Sequence, residues 1–229
     1  MATIEVQHIG LQHINVKLLL KKEDAQAIDL DPVIPVFHSW IQQQVGDELL
    51  LDVADYRHVQ AGPGIVLIGH EADYSLDNAD NRLGVRYNRK AVLDGNNQDS
   101  LAQATRAAIS ACQRLQQDTR LDGKLNFNGQ DIEIFINDRL LAPNTVATRE
   151  ALKPEFQAFA DKLFGGSQYF LKFGSDSSSS ESADPRRLLA VFLHAAHAFP
   201  AEDLMDNLKS ASLSVEAARP TQTEARANG

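Results

Sequence analysis

Pairs of short apolar segments, each pair followed by a longer amphipathic segment, are the feature that most limits how this chain can fold. Residues 74–77 and 83–90 alternate between apolar and polar side chains, as the two strands of a hairpin do. Residues 98–117 then place apolar side chains three and four positions apart, which is typical of a helix with one buried face. Hairpin strands followed by a helix predict an antiparallel sheet with a helix packed against it.

The same order of segments returns 49 residues later and again, more loosely, near the end of the chain. The second copy has an Asn-Gly hairpin signal at Asn128 and Gly129, and a helix from Thr145 or Thr148 to Phe164 follows. In the third, residues 168–173 and 188–193 form the strands and Pro200 opens a short helix. The sequence thus predicts an α+β fold, with an antiparallel sheet built from repeated strand-strand-helix units and helices packed on one face. Chance similarity between amphipathic hairpins is the alternative explanation of the repeat.

The segments outside these units set the expected domain boundaries. A strand at residues 12–20 precedes a helix that opens at Pro32 or Pro35 and buries Trp40. Residues 174–185 contain no large apolar side chain and residues 210–229 contain only Leu213 and Val215, so neither segment can offset the entropy lost on ordering. We therefore expect an N-terminal extension at 1–9, a single α+β domain at 10–209 with a mobile serine-rich loop at 174–185, and a disordered tail at 210–229.

Charge and cysteine content exclude several classes of protein. The chain has 22 basic and 31 acidic residues, a net charge of −9, which opposes binding to nucleic acid or to an anionic membrane. Its one cysteine, Cys112, lies within the apolar stripe of a predicted helix, so we expect a buried thiol and no internal disulfide. No apolar run approaches the roughly 20 residues of a membrane helix, and no signal-peptide pattern is present. A soluble, cytoplasmic protein is expected.

The densest group of polar side chains surrounds the turn at residues 62–64. Imidazole and carboxylate groups together suit acid–base catalysis, because imidazole titrates near neutral pH, and they also suit a divalent metal. The spacing matches no helix-borne metal motif, so no metal site is predicted. The alternative is that these groups only satisfy loops and strand ends. The group comprises Asp52, Asp55, His58, His70, Glu71 and Asp73, of which His58, His70, Asp55 and Glu71 are the candidate catalytic residues.

A second candidate site is cationic. The two-residue period of a strand places Arg82, Arg86 and Lys90 on one face of the segment 82–90. This segment leads to the start of the helix at 98–117, where free backbone N–H groups favour an anion. These three side chains are the candidate ligand-binding residues. The alternative is an ordinary solvated sheet face.

Two hypotheses for the function follow. The first is a non-enzymatic module that binds another protein or a second copy of itself, since one-sided sheets offer a free face and free edges. The second is an enzyme or a ligand sensor for a phosphorylated or carboxylated metabolite, with its pocket between the turn at 62–64 and the strand carrying Arg86 and Lys90. The sequence identifies no cofactor. Convergence of His58, His70, Arg86 and Lys90 on one cavity would favour the second hypothesis.

Overall fold

The computed structural model describes residues 9–21, 28–46, 48–60, 62–175 and 182–216; for residue 80 and residues 210–216 it describes the backbone only. The predicted N-terminal extension lies outside the described residues except for residue 9. The centre of the serine-rich loop, 176–181, and residues 217–229 of the predicted tail also lie outside them.

Eight strands and four α-helices make up the regular structure of the described residues. The strands are β1 Ile14–Leu20, β2 Leu50–Asp55, β3 Ile65–Gly69, β4 Ala72–Asp77, β5 Gly84–Arg89, β6 Phe127–Ile136, β7 Tyr169–Phe173 and β8 Leu189–Ala195. The helices are α1 Val33–Gln42, α2 Asn97–Gln117, α3 Val146–Leu163 and α4 Ala201–Glu216. Helix α4 therefore continues through residues 210–216, which the sequence places in the tail.

The strands form one antiparallel sheet in the order β2-β3-β4-β5-β1-β6-β8-β7, so the fold is α+β. Strand β1 lies near the centre of the sheet, between β5 and β6. Strands β7 and β8 pair across the serine-rich loop, with Phe173 opposite Val191, which confirms the predicted pairing. Strands β2 and β7 are the two edges.

The hairpin turn predicted at Asn128 and Gly129 is wrong, because both residues lie inside the continuous strand β6. Gly129 has a φ of +62°, and the register between β1 and β6 shifts between Leu18 and Leu20. The Asn-Gly pair therefore supplies the positive φ of a β-bulge, where the sequence signal indicates a two-residue turn. A Cβ atom at Gly129 would also lie 2.5 Å from the carbonyl oxygen of Phe199. The second unit consequently has one strand where two are predicted.

The helices begin and bury their apolar faces much as their sequence spacing predicts. Helix α1 starts directly after Pro32, and Trp40 is 6% exposed and packs against Phe37. At the start of α2, the Asn96 side chain accepts a hydrogen bond from the backbone N–H of Asp99, which caps the helix. Burial raises the pKa of the Cys112 thiol well above its ordinary value, so the cysteine is a buried core residue as predicted. No helix of the described residues combines the length and the apolar character needed to cross a membrane.

The two sides of the central strands have opposite chemistry. Val16, Leu18 and Tyr87 lie on the side of α2, and all three are buried. On the other side, Lys17 Nζ lies 2.9 Å from Asp77 Oδ1, and Arg86 Nη1 lies 2.8 Å from Asp77 Oδ2. Lys17 is 1% exposed and Asp77 0%, and burial lowers the pKa of the Lys17 ammonium although Asp77 acts to raise it. We call Lys17, Asp77 and Arg86 the charged sheet face.

Candidate ligand-binding site

The predicted acid–base residues lie on the outer rim of the sheet. His58 is exposed in the turn after β2, where its ring stacks near Tyr56. Asp55 accepts hydrogen bonds from the Arg57 side chain, and this contact lowers the pKa of the Asp55 carboxyl to about 2. His70 is 71% exposed, with its Nδ1 3.4 Å from an oxygen of Glu71. His58 follows the end of β2 and His70 follows the end of β3, so the two histidines lie at opposite ends of this antiparallel pair.

The three predicted ligand-binding cations each lie beside a different carboxylate. Arg82 is 3.7 Å from Asp131, and Arg86 belongs to the charged sheet face, with its guanidinium over the ring of Phe135. Lys90 donates hydrogen bonds to the carbonyl oxygen of Gly69 and to Asp73. Lys90 therefore lies beside the turn that carries His70, whereas His58 lies at the opposite end of the β2–β3 pair and Arg86 lies on the charged sheet face. No group of metal-binding side chains forms among the residues that the structure describes.

A cavity of about 590 Å³ lies elsewhere, between α2, strands β2 to β5 and the end of α1. Its lining brings together charged, aromatic and small side chains from segments that are far apart in sequence. We call it the arginine cleft. Helix α2 contributes Gln103, Arg106, Ala107, Ser110, Ala111 and Arg114; the strand side contributes Glu48, Leu50, Glu71, Tyr74 and Arg89; Trp40 and Val45 close the end near α1 and Met205 of α4 completes the lining. Glu71 is the one predicted site residue in this lining.

The α2 wall of the arginine cleft follows from the helical repeat. Its lining positions are three or four residues apart, so they form one stripe along the helix. Ala107, Ser110 and Ala111 are small, which leaves open space beside the helix, and Arg106 and Arg114 flank them. Neither arginine has an ion pair or a hydrogen bond within the part of the chain that the structure describes.

A hydrogen-bonded network around Glu48 forms the strand side of the cleft. The Tyr74 hydroxyl donates to Glu48 Oε2 at 3.0 Å, and the Tyr87 hydroxyl donates to Glu48 Oε1 at 2.7 Å. Arg89 lies 3.4 Å from the same carboxylate and balances its charge. The Gln103 amide donates to the Tyr87 hydroxyl at 3.0 Å, which ties α2 to β5.

The two tyrosines of this network are held in the protonated form. Burial raises the pKa of Tyr87 to about 12, although the hydrogen bond from Gln103 acts to lower it. Burial and the neighbouring Glu48 charge also raise the pKa of Tyr74. Both hydroxyls therefore remain donors to Glu48 at neutral pH, and this network forms a rigid wall of the cleft.

The lining of the cleft is suited to binding. Arg106 and Arg114 offer guanidinium donors, and Trp40, Val45 and Leu50 offer apolar contact.

Sequence reasoning missed the cleft because it searched for the buried stripe of α2 and not for its neighbour. Gln103, Arg106, Ser110 and Arg114 form a polar stripe at helical spacing, so a signal for one wall was present. The opposite wall comes from residues 48, 71, 74 and 89, which no sequence spacing connects to that stripe. Comparison with known protein families, with curated proteins and with solved structures gives no match.

Proposed function

We propose that the protein binds a small anionic molecule in the arginine cleft. The observation that carries this proposal is the pair Arg106 and Arg114, which line the cleft without a carboxylate partner among the described residues. Arg57, Arg86 and Arg120, by contrast, each have an aspartate within ion-pair distance. A guanidinium offers several N–H donors in a fixed plane, which suits a carboxylate or a phosphate group.

The size and the surface of the cleft support the same proposal. Its volume of about 590 Å³ is within the usual range for small-molecule sites. Apolar side chains beside the arginines provide contact area for the uncharged part of a ligand, while the charged groups fix its orientation. The overall charge of −9 would repel an anion at long range, so the local arginines must supply the attraction.

Titration of 3-phenylpropionate, followed by calorimetry, tests this proposal. We expect saturable binding to the wild type, and at least about a tenfold weaker affinity for Arg106→Gln, because a charge-assisted hydrogen bond contributes about 1.5–3 kcal/mol. Arg186→Gln is the matched control, since Arg186 is 90% exposed, pairs with Asp184 and lies outside the cleft. The proposal fails if a panel of carboxylates and inorganic phosphate gives no binding, or if Arg106→Gln binds as tightly as the wild type.

A second proposal is that the module self-associates through its β2 edge. Leu49 and Leu51 are 58% and 52% exposed at this edge, which supports pairing of two copies. Asp52 and Asp55 place negative charge on the same strand and oppose such pairing, so this proposal ranks below the cleft. Light scattering after size exclusion should give a dimer for the wild type and a monomer for Leu51→Lys. A wild-type monomer at every concentration would contradict it.

Two further expectations about the chain remain proposals. We propose that all helices share one side of the sheet and that repeated strand-strand-helix units underlie the fold. The orders β4-β5-α2 and β7-β8-α4, and the mutual contacts of α2, α3 and α4, support this. A cytoplasmic location likewise remains a proposal. The same holds for an acid–base role of His58, His70, Asp55 and Glu71, of which Glu71 alone lines the arginine cleft.

A further inference from the structure

The two walls of the arginine cleft carry charge of opposite sign. On the α2 wall, Arg106 and Arg114 add two positive charges that no described carboxylate balances. On the strand wall, Glu48 is balanced by Arg89, which leaves the negative charge of Glu71. Glu71 is ionised at neutral pH, its side chain is 37% exposed, and its ion-pair neighbour among the described residues is the exposed His70. The cleft therefore has a positive side and a negative side.

A ligand with a single negative group would match only one side of this cleft. Its carboxylate would approach the arginines, while none of its atoms would pair with the charge of Glu71, whose carboxylate otherwise accepts backbone hydrogen bonds from Leu49 and its own N–H. A ligand with an ammonium group beside its carboxylate would match both sides at once, because each charge would then face one of opposite sign. An apolar side chain on the same molecule would contact Trp40, Val45 and Leu50 at the end near α1.

We infer that the ligand of the arginine cleft is dipolar, of the class of α-amino acids with an apolar side chain, with its carboxylate toward Arg106 and Arg114 and its ammonium toward Glu71. This inference rests on the proposed function and specifies the ligand of the same site. It gives Glu71 a role in specificity, distinct from the acid–base role that the sequence predicts for it.

Three ligands with the same phenyl group test the contributions of the carboxylate and the ammonium to binding separately. Phenylalanine carries both groups, 3-phenylpropionate lacks the ammonium, and 2-phenylethylamine lacks the carboxylate. By calorimetry we expect the wild type to bind phenylalanine about tenfold more tightly than either of the other two, as expected for one additional charge-assisted contact. Glu71→Gln, which keeps the shape of the side chain, should reduce the preference over 3-phenylpropionate to about twofold or less. Arg106→Gln should weaken both acids.

The outcomes distinguish this inference from the proposed function. Equal affinity of the wild type for phenylalanine and 3-phenylpropionate, with both weakened by Arg106→Gln, overturns the dipolar ligand and leaves anion binding in place. A preference that survives unchanged in Glu71→Gln overturns the role of Glu71. If 2-phenylethylamine binds as tightly as phenylalanine, or if neither acid binds while another carboxylate or inorganic phosphate does, the inference fails. If no anion of the panel binds, both the inference and the proposed function fail. Thermal melts verify that the variants fold. If Glu71→Gln does not fold, the comparison of the three ligands on the wild type still decides the inference.

Discussion

The arginine cleft and the charged sheet face contain the same kinds of residue but differ in how those residues are paired. Both contain arginine and carboxylate groups, and both draw on β5, whose neighbouring residues Arg86 and Tyr87 point to opposite sides of the sheet. On the charged sheet face, Asp77 is fully buried and lies within 3 Å of both Lys17 and Arg86. In the cleft, Arg106 and Arg114 line an open cavity. Removing one member of a buried, matched pair leaves an uncompensated charge inside the protein, whereas charges that line an open cavity without a partner are available to a ligand.

This difference predicts that changes on the charged sheet face alter stability and leave binding intact. Asp77→Ala should have the largest effect, a loss of about 3–5 kcal/mol in the free energy of unfolding, because it removes the buried carboxylate that pairs with both Lys17 and Arg86. The control is Asp73→Ala, which breaks a more exposed pair with Lys90 and should cost less than about 1 kcal/mol. Urea denaturation measures both. Equal losses for the two variants would show that burial does not set the strength of these pairs.

Trp40→Ala should reduce both stability and ligand binding, since this side chain belongs to the core and to the lining of the cleft. We expect a loss of about 3 kcal/mol, at the lower end of the range for a buried aromatic side chain, because one side of the ring borders the cavity. Affinity for a cleft ligand should fall in the same variant. If Trp40→Ala melted at the same temperature as the wild type, α1 would not contribute to the core as the structure indicates.

Tyr87→Phe should change how stability depends on pH. The pKa of Tyr87 is raised to about 12 in the folded protein, against an ordinary value of 10.0, so the folded state holds this proton more tightly than the unfolded state. The free energy of unfolding should therefore decrease between about pH 10 and 12, by up to about 1.4 kcal/mol per pH unit. Tyr87→Phe should show a smaller decrease in urea titrations over this range. An unchanged slope would contradict the burial of the phenol.

The smallest effect on stability is expected for the cleft arginines. Arg106→Gln and Arg114→Gln should each change the free energy of unfolding by no more than about 0.5 kcal/mol, because neither side chain has a described partner to lose. The same variants should lose ligand affinity. If either of them unfolds the protein, its arginine has a structural role and the contrast between the two regions breaks down.

The sequence predicts most elements of this fold because they depend on local periodicity. The alternation in β1 and β5 and the apolar stripe of α2 are readable from neighbouring residues, and the structure has each of them close to its predicted place. The prediction at Gly129 is wrong for the same reason. A positive φ serves a turn or a bulge equally well, and the choice depends on β1, which lies more than 100 positions away in the sequence.

The candidate site could be predicted only in part. Glu71 is in the predicted polar cluster and in the cleft, but Arg86 is on the opposite side of the sheet from Tyr87 and supports Asp77 there. The spacing of cationic side chains along one strand does not reveal which side of the sheet the helices will cover. The cleft itself depends on how α2 packs over β1 and β5, and this packing brings Arg106 to the same cavity as residues that precede it by 17 to 58 positions.

The most direct test of the account is an NMR titration of the arginine side chains with 3-phenylpropionate. The Nε–H signals of Arg106 and Arg114 can be assigned by their loss in the corresponding glutamine variants, and Arg86 serves as the internal reference on the charged sheet face. The account predicts saturable shifts of the Arg106 and Arg114 signals with one common dissociation constant and an unchanged Arg86 signal. Shifts confined to Arg86, or no saturable shift at Arg106 and Arg114, would contradict it.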